Sequence, residues 1–196
     1  TATPRPAGAS WAIGTSLGAV SLNAVVFDGT NFVAVGSGGA IFTSLDAIAW
    51  TAATSGTSSD LYGIVFVNSR YVAVGANGTV ITSSDRVSWG AQSAGTTETL
   101  VGIGQSNGTL IATGTNGTVL TSSDSTNWSR ATTGVTQTLY AATGLNGRAV
   151  VTGAGGTLLT STDLSNWQAV SSGTSADLRG VTVDTAKFVA VGAGGT

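Results

Sequence analysis

The sequence predicts an all-β chain folded as a five-bladed β-propeller, with four antiparallel strands in each 39-residue blade. Three observations predict it. Trp11, Trp50, Trp89, Trp128 and Trp167 stand 39 residues apart; Leu22, Leu61, Leu100, Leu139 and Leu178 keep the same step, and so do Gly36, Gly75, Gly114, Gly153 and Gly192. Each copy holds four short runs rich in Val, Ile, Thr and aromatic residues, side chains that suit strands. No segment sustains an apolar period of 3.6, so helices are not expected.

The second copy shows the elements in order. Leu61–Val67, Tyr71–Val74, Thr79–Ser83 and Trp89–Gln92 read as strands, separated by Asn68-Ser69, Asn77-Gly78 and Ser84-Asp85. Asn-Gly suits a tight hairpin because both residues tolerate positive φ. Four strands in about 40 residues is the size of a propeller blade; the alternative, an open β-solenoid, usually has shorter repeats and distinct end caps. Blades are expected at 22–60, 61–99, 100–138 and 139–177, with a fifth from 178–196 completed by 1–21. Thr1 and Thr196 both fall in the register of Thr157. Leu178–Gly192 would supply two strands of that fifth blade and Ala2–Ile13 its outer part, an interlock that removes free sheet edges. Pro4 and Pro6 fall in the expected third strand, which is therefore short or irregular, because Pro cannot donate to a ladder.

Composition narrows the function. The 196 residues are 41% hydrophobic and only 8% charged, with 29 Gly, so the chain folds rather than staying disordered. A net charge of −2 gives no basic field for nucleic acid. There is no Cys and no His, which removes thiolate and imidazole chemistry, and no cofactor is expected. No apolar run reaches the roughly 18 residues that span a bilayer. Low charge with abundant Ser, Thr and Gly suggests an exported bacterial protein, secreted or at the cell surface.

The four turns that precede the last strands share a pattern: Asp46 with Trp50, Asp85 with Trp89, Asp124 with Trp128 and Asp163 with Trp167. An Asp carboxylate accepts backbone N–H groups in a tight turn, and Trp packs beneath the hairpin with its indole N–H bonded at the edge. Four equal copies indicate a structural role, since catalysis needs one constellation. The pattern resembles the Asp-box of BNR-repeat propellers, and the whole chain is similar to a bacterial repeat of photosystem II assembly-factor-like and sialidase-like propellers. The Asp-to-Trp spacing is four here rather than five, the central Gly is missing, and Ala7 replaces Asp in the first copy. The resemblance implies the fold; a sialidase-like glycosidase would also need an Arg triad and a Tyr nucleophile. Of the six Arg, only Arg179 falls at the expected mouth. An enzyme is not expected.

Function must therefore reside where the copies differ. The residue after the repeated Leu is Asn23, Tyr62, Val101, Tyr140 or Arg179, at the expected mouth of the central channel. With Asp60 and Asp177 of the flanking loops, these form a candidate site for a glycan or protein ligand. On the other face Arg70, Arg148 and Lys187 share a register. The reading is a non-enzymatic binding or adhesion module; the alternative is a structural spacer or assembly domain.

Overall fold

The computed structural model describes residues 17–196. Among the described residues, eighteen strands form four four-stranded antiparallel sheets and one two-stranded sheet. Unit 1 holds β1 (Leu22–Phe27), β2 (Phe32–Gly36), β3 (Ile41–Ser44) and β4 (Thr51–Ala53). Unit 2 holds β5 (Leu61–Val67), β6 (Arg70–Gly75), β7 (Val80–Ser83) and β8 (Gly90–Gln92). Unit 3 holds β9 (Leu100–Ser106), β10 (Thr109–Gly114), β11 (Val119–Ser122) and β12 (Ser129–Arg130). Unit 4 holds β13 (Leu139–Leu145), β14 (Arg148–Gly153), β15 (Leu158–Ser161) and β16 (Gln168–Ala169). Unit 5 contributes β17 (Leu178–Val183) and β18 (Phe188–Gly192). The predicted strands recur with ends moved by a residue or so; the repeated Trp lies just before the fourth strand, not in it.

The hairpins follow from local chemistry. Asn68 and Ser69 have φ of 50° and 59°, and Asn107-Gly108 and Asn146-Gly147 repeat the pattern of paired positive φ between first and second strands. That geometry matches the right-handed twist of the flanking strands. Between the second and third strands the chain makes a short 3₁₀ turn, as at Ala76–Gly78.

The first strands of successive sheets lie side by side, β1 against β5, β5 against β9, β9 against β13 and β13 against β17. The sheets thus pack face to face in chain order, and the core is the set of seams between them. Val33, Val35 and Ile41 of unit 1 meet Leu61, Ile64, Tyr71, Ala73 and Ile81 of unit 2. Equivalent clusters join unit 2 to unit 3 and unit 3 to unit 4. Packing of that extent does not join β17 to β1. The expected completion of the fifth unit by Ala2–Ile13, with Pro4, Pro6 and Trp11, lies outside the described residues.

Candidate functional site

Two ends of the sheets define two faces. The upper face carries the inter-unit loops and the turns between second and third strands. These are bonded together: Ala76 N–H donates to Asp60 O, Thr115 N–H to Thr99 O and Ala154 N–H to Thr138 O. The lower face carries the hairpins and the Asp turns.

On the upper face each first strand contains a β-bulge. In unit 2, Leu61 pairs with Gly75 and Gly63 with Val74, leaving Tyr62 as the extra residue. The same shift singles out Asn23, Val101, Tyr140 and Arg179. All five residues predicted at the mouth are therefore bulge residues, and a bulge re-aims its side chain out of the strand's alternation.

The structure gathers these side chains into separate groups. Arg179 Nη2 lies 3.2 Å from Asp177 Oδ2, and its guanidinium sits 5.6 Å from the centre of the Tyr140 ring. The Tyr140 hydroxyl donates to the same Asp177 oxygen over a long 3.4 Å. Tyr62 makes the corresponding long contact to Asp60 Oδ2, also 3.4 Å. Burial, followed by the charge of Asp60, pushes the Tyr62 hydroxyl pKa up. Asn23 is committed to the backbone, its Nδ2 donating to Leu61 O at 2.8 Å.

Asp60 and Asp177 also hold the scaffold. Their Oδ1 atoms accept from Gly38 N–H at 2.7 Å and Gly155 N–H at 3.0 Å, pinning the turns of the preceding strands. The third acid of this face, Glu98, accepts from Thr115 and Asn116, which together hold its carboxyl below the usual range. Of the nine carboxylates in the chain, the other six cap turns of their own segment.

On the lower face the repeated Asp residues hold the turns between third and fourth strands. Asp85 Oδ1 accepts from Val87 and Ser88 N–H at 2.9 and 2.8 Å and from Ser83 Oγ. Ser88 and Val87 N–H, in that order, hold its pKa at about 2. Asp46, Asp124 and Asp163 repeat the arrangement and are likewise depressed. The indoles of Trp50, Trp89 and Trp167 donate to the carbonyl three residues back. Trp128 departs from the pattern, its buried Nε1 lacking a partner.

One lower-face cluster has no counterpart in the sequence reading. Tyr71 donates to Asp28 across the seam between units 1 and 2, and Arg86 Nη1 stands 3.7 Å from the same oxygen, Oδ2. Burial opposes the charge on Asp28. The Tyr71 hydroxyl and the N–H groups of Asn31 and Thr30 outweigh it and hold the pKa at about 2. The signal was that Tyr71 and Arg86 break the repeat, where unit 3 has Leu110 and Ser125, while Asp28 recurs only at Asp184. Of the basic register, Arg70 and Arg148 line separate polar cavities of about 230 Å³, the first with Asp124 and the second with Asp163, and Lys187 lines neither. Among the described residues no three His, Cys, Asp or Glu side chains gather as metal ligands, and no helix is long and apolar enough to cross a membrane.

No protein-family model and no curated protein matches the chain. Solved structures do. YCF48 from Cyanidioschyzon merolae superposes with a TM-score of 0.69 at 15% identity, over 93% of this chain and 70% of that one. YCF48 bound to D1 peptide gives 0.64 at 17% identity, over 85% and 59%. The GH74 enzyme of Niastella koreensis gives 0.63 at 19% identity, over 83% of this chain but 26% of the enzyme. At such identities the likeness establishes the fold: the chain is a β-propeller built of four-stranded repeats.

Proposed function

We propose that this propeller binds an extended peptide segment of a protein partner on its upper face, through Tyr140, Arg179 and Asp177, with Tyr62 and Asp60 as a second contact. The observation that carries the reading is the set of bulges. They present side chains that strand alternation does not require, and two adjacent units place Tyr140, Arg179 and Asp177 together there. Arg179 is two-thirds exposed beside its carboxylate. Donor and acceptor side by side match the C=O and N–H of a peptide group, and the Tyr ring adds apolar contact. The acids of this face not spent on their own turns fit the same reading. The YCF48–D1 peptide structure supports it at the level of fold, as a propeller that takes a peptide.

A displayed library of random peptides, panned on the purified chain, tests this. Selected peptides are expected to lose at least tenfold in affinity against a Tyr140→Ala/Arg179→Ala variant whose circular dichroism is unchanged. Retention of only glycans on a parallel array would replace the peptide with a sugar stacked on Tyr. Capture of neither would favour a spacer domain.

A further inference from the structure

At the internal seam between units 1 and 2, a cavity of about 370 Å³ opens on the lower face, a size that suits a small molecule. Unit 1 lines it with Asn31, Leu45, Asp46 and Thr51, and unit 2 with Arg86 and Val87. Two opposite charges share the space without pairing with each other. The ion pairs among the described residues join Arg86 to Asp28 and Arg179 to Asp177. Arg86 is anchored from behind. Asp28, its side chain 7% exposed, accepts from Tyr71, from the N–H groups of Thr30 and Asn31, and from Asn31 Nδ2. The Arg86 side chain is 36% exposed, and its 3.7 Å approach to Asp28 is longer than a direct hydrogen bond, so guanidinium donors remain for a ligand. Asp46 has an oxygen to spare. Its Oδ1 holds the turn, accepting from Ile48 and Ala49 N–H at 2.8 and 2.9 Å. In units 3 and 4 the second carboxylate oxygen accepts from Asn127 or Asn166 Nδ2; unit 1 has Ala49 at that position. The apolar wall is equally local. Leu45 and Val87 are 72% and 68% exposed, where units 3 and 4 carry Ser123 and Thr162, and Thr126 and Ser165.

We propose that this cavity binds a free aliphatic amino acid as its zwitterion, the carboxylate on Arg86, the ammonium on Asp46 and the branched side chain against Leu45 and Val87. The charge pattern selects that class. An amine alone would leave the Arg86 donors unmatched, and a carboxylate or phosphate alone would face the Asp46 charge. A ligand carrying both signs a few bonds apart satisfies both walls at once, and guanidinium with carboxylate is among the stronger charge-assisted pairings. The repeat makes the site single. At the position of Arg86 the other units have Ala47, Ser125 and Leu164. The site lies on the face opposite the peptide-binding rim and does not depend on it.

Amide NMR titration of the full chain with L-leucine tests the proposal, beside isoamylamine, which lacks the carboxylate, and isocaproate, which lacks the ammonium. Leucine is expected to shift amides around Asp46, Thr51 and Val87, and each analogue to bind at least about tenfold more weakly. Two variants assign the charges. Arg86→Ser, which installs the residue unit 3 carries as Ser125, should weaken leucine about tenfold and leave isoamylamine unchanged. Asp46→Asn keeps an Oδ1 acceptor for the turn and should weaken leucine similarly without weakening isocaproate. Circular dichroism checks that both variants fold; if either does not, the three ligands on the parent chain still decide. Isoamylamine or isocaproate binding as tightly as leucine overturns the proposal, because one charge would then go unread. So do the absence of shifts with leucine up to about 10 mM and shifts centred on Tyr140 and Arg179, which would place leucine on the upper face.

Discussion

On the upper face, backbone meets backbone where the second strand turns into the third; on the lower face, a carboxylate holds the turn between the third and fourth. Gly78 has φ +66°, and a Cβ on it would stand 1.9 Å from Thr96 O in the loop to the next unit. Gly75, with ordinary extended backbone, would put a Cβ 2.0 Å from Asp60 O. At Asp85, by contrast, oxygen lone pairs reach N–H groups that solvent also reaches. The difference teaches that the two ends fail differently. The Gly78 turn tolerates no added atom and takes no carboxylate; the Asp85 turn accepts change in packing and depends on charge.

The sharpest break is expected from Gly78→Ala. Forcing an L side chain into left-handed backbone and against a carbonyl should cost about 3 kcal/mol, read as a lowered midpoint in urea at unchanged slope. Next comes Tyr71→Phe on the lower face. It removes the hydroxyl donor to Asp28 and leaves that covered carboxylate short of a partner, with an expected loss of about 2 kcal/mol. Acid should expose the same contrast in graded form. The box carboxylates have folded pKa values below their unfolded ones, so their stabilisation is complete above about pH 4 and fades as pH falls toward 2. Melting temperature should drop through that window, while the offset between parent and Gly78→Ala stays constant. A melting temperature flat to pH 2 would remove the carboxylates from the account. The smallest effect is a gain. Thr113 occupies the register of Val35 and Val74, fully buried with its hydroxyl unpartnered. Thr113→Val should stabilise by about 1 kcal/mol, measured by the same urea titration, by ending the burial of a lone hydroxyl in an otherwise apolar seam.

What could be read from the sequence was what is local and repeated. Strand composition, Asn-Gly turns and the Asp before each Trp are signals within a few residues, and the 39-residue step multiplied them. The five positions after the repeated Leu were singled out by register alone. That Tyr62 is a bulge residue depends on Leu61 pairing with Gly75 and Gly63 with Val74, and pairing across strands leaves no mark in one strand's own sequence. The separation of these residues into a Tyr140–Arg179–Asp177 group and a Tyr62–Asp60 pair was equally hidden, because it depends on where each side chain turns after leaving the bulge. The Asp28–Tyr71 contact joins residues 43 apart and occurs once, so periodicity pointed away from it. Gly78 was legible as a turn residue, but not as the point where two loops touch.

The bulges carry one more consequence. A side chain supplied by an extra residue stands outside the ladder, so exchanging it leaves the strand pairing in place; Asn23, bonded to Leu61 O of the next unit, is the exception. The four other places, Tyr62, Val101, Tyr140 and Arg179, give this architecture a keyboard of replaceable letters mounted on an unchanging frame. A lineage that duplicates the repeat can change these side chains without first re-engineering how the protein holds together.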